Sequence, residues 1–182
     1  LETLGYEGAV ISPLRLMDCR VSEDTIIGPF QGKGVLNQLR LWENRMIIGA
    51  GLGMMKSSYE TAKEYAKTHR SGGKPIIAYH EVGFKLAEML TLYQTSQLLA
   101  YRAIWESGKN PKTAESLTLC AKVFCTESAE RIASDALKIL AGKGFCTGNP
   151  AERAYRCAKY TQIAGTSTEI SRVKIGDEAL GY

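Results

Sequence analysis

The sequence predicts a mainly α protein, an antiparallel four-helix bundle preceded by a short N-terminal β-ribbon. Three observations lead there. Three long stretches place apolar residues at helical spacing, short breaker-rich connections separate them, and a shorter fourth segment is itself split. The chain has 182 residues, 45% of them hydrophobic, enough for one sizeable core but not for two full domains. The expected division is therefore residues 1–30 as the remnant of a larger β-sheet domain and residues 31–182 as the bundle.

Between residues 4 and 28, short β-favouring runs are broken by Gly8, Pro13, Gly28 and Pro29, which reads as a ribbon. Beyond Gly34 the periodicity becomes helical. Val35, Leu39, Trp42, Met46, Ala50, Met55, Tyr59 and Ala62 form one stripe, and HRSGGKP at 69–75 ends it. A helix of about 34 residues would be about 50 Å long, a length normal for bundle members. A second helix fits 79–107, with Val82, Leu86, Met89, Tyr93, Ala100 and Ile104 inward and GKNP at its end. A third fits 113–140, carrying Leu117, Ala121, Phe124, Ser128, Ile132 and Ile139. Asn149 and Pro150 read as cap and first-turn residue of a shorter helix over 151–160. The last helix starts near Ser167 or Thr168.

The net charge of +4 is mild, and the basic residues are interspersed with acids. That pattern argues against nucleic acid and suits a small anionic ligand such as a nucleotide or coenzyme A. Five cysteines, Cys19, Cys120, Cys125, Cys146 and Cys157, form no Cys-x-x-Cys pair, which favours reduced thiols and a cytoplasmic setting. No apolar run approaches bilayer length, so no membrane span is expected. The chain begins at Leu1 without a basic start and apolar run, which reads as an excised or processed piece.

Few motifs carry chemistry by spacing alone. GPFQGKG at 28–34 has one residue too few before its lysine for a phosphate loop and no Ser or Thr after it, so it reads as a turn into the first helix. His80 and Glu81 lack the second histidine of a helical zinc site, and no metal is expected. Gly142 and Gly144 stand where a helix must stop, which a left-handed C-cap explains without a ligand. Gly49, Gly51 and Gly53 each cost about 1 kcal/mol in a helix, which implies close approach by a neighbouring helix or a ligand. Trp42 and Trp105 read as core. Glu43 stands out among the acids because Leu39, Trp42, Met46 and Ile47 flank it. A carboxylate buried there would suit a base working near neutral pH, and the alternative is a surface glutamate paired with Arg40 or Arg45.

The segment AERAYRCAKYTQIAGTSTEISR at 151–172, following ILAGKGF at 139–145, resembles the C-terminal part of acyl-CoA dehydrogenases. The resemblance covers nearly the whole chain. GYEGAVISPLRLMDCRVSEDTIIG at 5–28 is similar to the last strands of that family's middle β-domain, and GKGVLNQLRLWENRMIIGAGLG at 32–53 to the opening of its first C-terminal helix. YAKTHRSGGKPI, KLAEM and RAYRCAK follow in the family's order and spacing.

The resemblance implies FAD, an acyl-CoA substrate, an electron-transfer protein as acceptor, and a homodimer or homotetramer in which one subunit's bundle covers part of its neighbour's flavin. The implied reaction is α,β-dehydrogenation of an acyl thioester, with a glutamate taking the α-proton and the flavin accepting the β-hydride. Most members carry the base in a tyrosine-glutamate-glycine-threonine loop before the last helix. Here Ala164, Gly165, Thr166 and Ser167 stand at those places, with no carboxylate. A minority of members, similar to isovaleryl-CoA dehydrogenase, carry the glutamate in the first long helix, and Glu43 falls on that position. The implied flavin contacts are His69, Arg70, Gly73, Glu81, Lys138, Ala141, Gly142, Thr166, Ser167 and Glu169. Several depart from the family pattern: His69 and Gly72 replace an arginine and a phenylalanine, with Arg70 as a substitute cation. Glu81 replaces a glutamine, Lys138 another, and Ala141 the first of two paired glycines. Cys157 stands where an aspartate is usual. An added carboxylate near a pyrophosphate opposes binding unless it is neutralised. Because family members generally also have an N-terminal helical domain and a full β-domain, this chain alone is expected to bind FAD weakly or not at all. The alternative reading is a noncatalytic partner subunit, forming a heteromer with a related chain, or a structural helical bundle.

Overall fold

The computed structural model describes residues 1–27 and 33–181. Five helices follow one another: α1 (Lys33–Thr68), α2 (His80–Ser107), α3 (Pro111–Leu140), α4 (Pro150–Ile163) and α5 (Thr168–Leu180). α3 packs against each of the other four. It can do so because its inward residues are small: Ala121, Cys125, Ala129, Ala133 and Ala136 are fully buried. Helices that meet over such side chains approach closely. Gly51 of α1 sits where an added Cβ would be 3.9 Å from the Ala129 Cβ, whereas Gly49 and Gly53 face open space. Close approach thus accounts for one of the three glycines.

The connections follow local chemistry. α1 and α2 are joined by an antiparallel hairpin of β1 (Arg70–Ser71) and β2 (Lys74–Pro75). Its turn residues Gly72 and Gly73 have φ of 56° and 83°, the left-handed pair that a tight hairpin needs. Asn110 caps α3 through Thr113 N–H and Asn149 caps α4 through Glu152 N–H, each followed by proline. Ser167 caps α5 by accepting from Ile170 N–H. The bundle with its split last member is as the sequence predicts.

Four expectations are corrected. The described residues 1–27 contain no strand, only a 3-10 turn at Glu23–Thr25. Val10, Leu14, Leu16, Met17 and Val21 are largely exposed, because no described residue offers these runs a partner edge and an isolated ribbon is marginal. Residues 1–7 instead dock on α4: the Tyr6 ring lies tilted against that of Tyr160 with centroids 4.8 Å apart, the Tyr6 N–H reaches Cys157 Sγ at 3.4 Å, and Arg156 binds the Leu4 carbonyl and Glu7.

The α1 stripe is out of phase in its first half. Leu39, Trp42, Met46 and Ala50 are exposed, and Asn44 and Ile48 are buried instead. α1 is apolar on two faces there, and periodicity does not say which one meets α3. On α2, Ile104 and Trp105 are likewise exposed while Ala103 is buried, so neither tryptophan is core.

The helix stop after α3 also differs. Ala141, not a glycine, takes the positive φ, at 51° with ψ −129°, while Gly144 has an ordinary helical φ. Gly144 is required for a different reason: an added Cβ would lie 2.5 Å from the Leu137 carbonyl oxygen. Most of GPFQGKG lies outside the described residues.

An alanine at this φ and ψ carries backbone strain of about 1–3 kcal/mol, against an entropy cost for glycine of about 0.5–1 kcal/mol. Ala141→Gly should therefore stabilise the chain by about 1 kcal/mol in urea unfolding.

Candidate active site

Two groups of sequence-predicted residues form two separate places. The first surrounds the loop between α4 and α5. Asn44, completely buried in α1, accepts from Thr166 N–H at 3.0 Å and donates to Thr166 Oγ1 at 3.1 Å. Lys122 of α3, also completely buried, donates to the Thr161 and Ala164 carbonyls, the latter at 2.8 Å. Ser171 Oγ reaches the Thr166 carbonyl at 3.4 Å. These contacts satisfy the polar groups freed where the helix ends inside the molecule.

The pinned loop holds Gly165 at φ 65°, directly against α1. An added Cβ there would lie 2.6 Å from Asn44 Oδ1, 3.1 Å from Ile47 Cδ1 and 3.5 Å from the carboxyl carbon of Glu43. Glu43 thus lies beside Gly165, the loop position that lacks a side chain. Glu43 is exposed, as are Leu39, Trp42 and Met46, so it is not buried among those neighbours. Among the described residues it forms no ion pair with Arg40 or Arg45; Arg45 Nε points to Thr118 Oγ1 at 3.5 Å. An open cleft of about 310 Å³ adjoins this loop, lined by Arg40, Ile163, Gly165, Thr166, Ser167, Ile170 and Lys174.

Charge at the site is set by burial and by the α5 N-terminus. Burial pushes the Lys122 ammonium down to about 8, while Glu43 and Glu169 act in the opposite direction. Backbone N–H, then Thr168 and Ser167, hold the Glu169 carboxyl below the usual carboxylate range. That carboxylate and the Ser167 cap already use the N-terminus of α5, and Thr166 is engaged by Asn44. These three residues can line a cofactor, but this helix end does not hold a free anion site.

The second place is the opposite end of α1. The hairpin, the start of α2 and the end of α3 enclose a cavity lined by Ser71, Tyr79, His80, Glu81, Lys85, Lys138 and Ile139. Glu81 is paired with Lys85 at 3.0 Å and Lys138 with Asp135 at 2.9 Å. The added carboxylate is therefore neutralised within the chain. Arg70 bonds the Gly73 carbonyl at 2.7 Å, and His69 stacks on Tyr65. Ala141 and Gly142 follow at the end of α3. The Tyr79 hydroxyl donates to the Ser71 carbonyl at 2.9 Å, so Tyr79, like Glu81, Lys85 and Lys138, has a partner within the chain.

Glu43 and His69 are 26 positions apart on or just beyond α1, about 39 Å along a helix axis. One chain therefore does not bring the two groups together. Asn44 and Lys122 were not singled out by sequence reasoning. The available signal was Thr118, Lys122 and Thr126 at four-residue spacing beside the small residues Ala121, Cys125 and Ala129, which reads as a solvated face until the loop is seen over it.

Residues 31–180 match the family model of the acyl-CoA dehydrogenase C-terminal domain. The chain belongs to the acyl-CoA dehydrogenase family. It is 32% identical to the mitochondrial short-chain specific acyl-CoA dehydrogenase of Rattus norvegicus over 98% of this chain and 43% of that protein. Among solved structures, the prolyl acyl carrier protein oxidase AnaB matches with a TM-score of 0.92 at 27% identity, over 100% of this chain and 48% of that one. Butyryl-CoA dehydrogenase from Megasphaera elsdenii matches with a TM-score of 0.78 at 26% identity, over 82% of this chain and 39% of that one. The chain spans less than half the length of these relatives. Among the described residues no helix of this acyl-CoA dehydrogenase family member is long and apolar enough to cross a membrane.

Gly165→Ala should cost about 2 kcal/mol, from the positive φ and from the displaced Asn44 amide. Chemical denaturation measures the loss, and an unchanged midpoint would contradict the close contact.

Proposed function

We propose that this chain is the base-bearing helical part of an FAD-dependent acyl-thioester dehydrogenase, with Glu43 as the base. The observation that carries the reading is the Glu43 carboxyl carbon, 3.5 Å from the place where a Cβ of residue 165 would stand. The common family arrangement puts the base on the loop at that residue. Here the loop has glycine and the carboxylate comes from the facing helix into the same space. In the reaction, a Glu43 carboxylate oxygen takes the α-proton of the thioester, and its place beside a pinned loop limits its freedom to turn away. FAD, when bound, supplies the hydride acceptor.

His69, Arg70, Gly73, Glu81, Lys138, Ala141 and Gly142 would face the anionic part of FAD, and Thr166, Ser167 and Glu169 the region near Glu43. The separation of about 39 Å along α1 supports a flavin shared between two copies, each offering an opposite end of its bundle. Residues 1–30 belong in this reading to the end of the middle β-domain. Electrons would leave through an electron-transfer protein.

A second substrate reading has its own support. The likeness to AnaB, an oxidase of a prolyl group on a carrier protein, extends over the entire chain. The same base would serve a thioester on a carrier protein as on coenzyme A, because the acidified α-proton belongs to the thioester.

The test is Glu43→Gln in the FAD-loaded full-length protein, assayed with acyl-CoA and carrier-bound acyl substrates and an artificial electron acceptor. Loss of a general base predicts turnover lower by about 10²–10⁴-fold, with FAD content and melting temperature unchanged. Undiminished turnover would remove Glu43 from the role, and a wild-type protein inactive on both thioesters would favour the noncatalytic partner subunit.

A further inference from the structure

Lys122 is the largest side chain buried completely in the bundle. An ammonium in an interior costs several kcal/mol unless its donors are satisfied. Its partners are not carboxylates but two main-chain carbonyls, Thr161 and Ala164, at the end of α4. The threonines one turn away on the same face of α3 do not compete for it. Thr118 and Thr126 turn their hydroxyls to carbonyls of their own helix, Ala114 and Lys122, at 2.6 and 2.7 Å.

The end of α4 is therefore held by a side chain from another helix. α4 stops at Ile163, and Ala164 takes an extended conformation, φ −68° and ψ 156°. The carbonyl of Ala164 is bonded to Lys122, the next residue is Gly165 against Glu43, and the one after is Thr166, bonded twice to Asn44. Three consecutive residues are thus fixed by α3, shaped to α1, and fixed by α1. The position of the loop relative to Glu43 follows from the two clamps.

We infer that Lys122 is a positioning residue of the base site: by gripping the Thr161 and Ala164 carbonyls it sets the loop that confines the Glu43 carboxylate beside Gly165. This rests on the reading of Glu43 as base. Lys122 does not touch the reacting atoms in this account. It acts by fixing the wall against which the base is oriented, so its removal is felt in the chemical step and not in the hold on substrate or flavin.

The test compares wild type, Lys122→Met and Lys122→Gln in the FAD-loaded full-length protein, by steady-state kinetics and amide hydrogen exchange over residues 161–167. Methionine keeps the length of the side chain without a donor, and glutamine keeps one donor on a shorter arm. Lys122→Met should speed exchange in that segment by at least about tenfold, the equivalent of losing one charge-assisted hydrogen bond. kcat should fall by a similar factor, with KM and FAD content within about twofold of wild type. Lys122→Gln should fall between the two, and it carries the test if the methionine variant does not fold.

Unchanged exchange would overturn the clamp, and faster exchange with unchanged kcat would overturn its catalytic consequence. A large rise in KM or loss of FAD with kcat preserved would overturn it as well, since a general packing role would then explain the residue. Failure of the Glu43 reading is seen separately, in undiminished turnover of Glu43→Gln.

Discussion

A helix that ends inside a protein leaves carbonyl and amide groups that must find partners, and the break between α4 and α5 depends on how this chain supplies them. Lys122 takes two carbonyls, and Asn44 takes both the N–H and the hydroxyl of Thr166. With α1 and α3 each holding one side of the break, Gly165 is pressed against α1 at Glu43. The polar interior of the bundle is thus concentrated where the proposed chemistry lies. The remaining core, built on Ala121, Cys125, Ala129, Ile132 and Ala136, is apolar and tightly packed, and it supplies the rigidity on which that polar arrangement rests.

The length of α1 is the second constraint. A 36-residue helix carries a candidate base near its beginning and leads into the cavity proposed to receive the flavin's anionic part after its end, too far apart to surround one ligand. Such a chain makes sense as a repeated component whose two ends serve different sites. The exposed apolar residues on the outer faces of α1 and α2, Leu39, Trp42 and Met46 on one and Phe84, Leu98 and Trp105 on the other, are consistent with a molecule that meets further protein there.

The helices were legible because their signals are local: glycine and proline at the breaks, Asn149-Pro150 and Asn110-Pro111 at the starts, and periodic apolar residues between. The facing of α1 was not, since Leu39, Trp42 and Met46 form as convincing a stripe as the one that is buried, and only contact with α3 selects between them. The N-terminal runs have strand composition, but pairing is a property of two segments and not of one. At the site, the relation of Glu43 to Gly165 was accessible through family resemblance, as two substitutions that compensate each other. Lys122 and Asn44 were invisible because a lysine and an asparagine on helices ordinarily face water, and their burial depends on a loop 39 and 122 residues away in sequence. The neutralisation of Glu81 by Lys85 was written in the sequence as an ordinary i, i+4 pair, although the resemblance alone presented Glu81 as an obstacle.

The most direct measurement of the central claim is a crystal structure of the full-length protein with FAD and an unreactive acyl-thioester analogue. The account predicts a Glu43 carboxylate oxygen about 3–3.5 Å from the α-carbon of the analogue, the range of a near-attack geometry, with Gly165 closing the space behind it. An α-carbon facing a different carboxylate, with Glu43 directed to solvent, would contradict it.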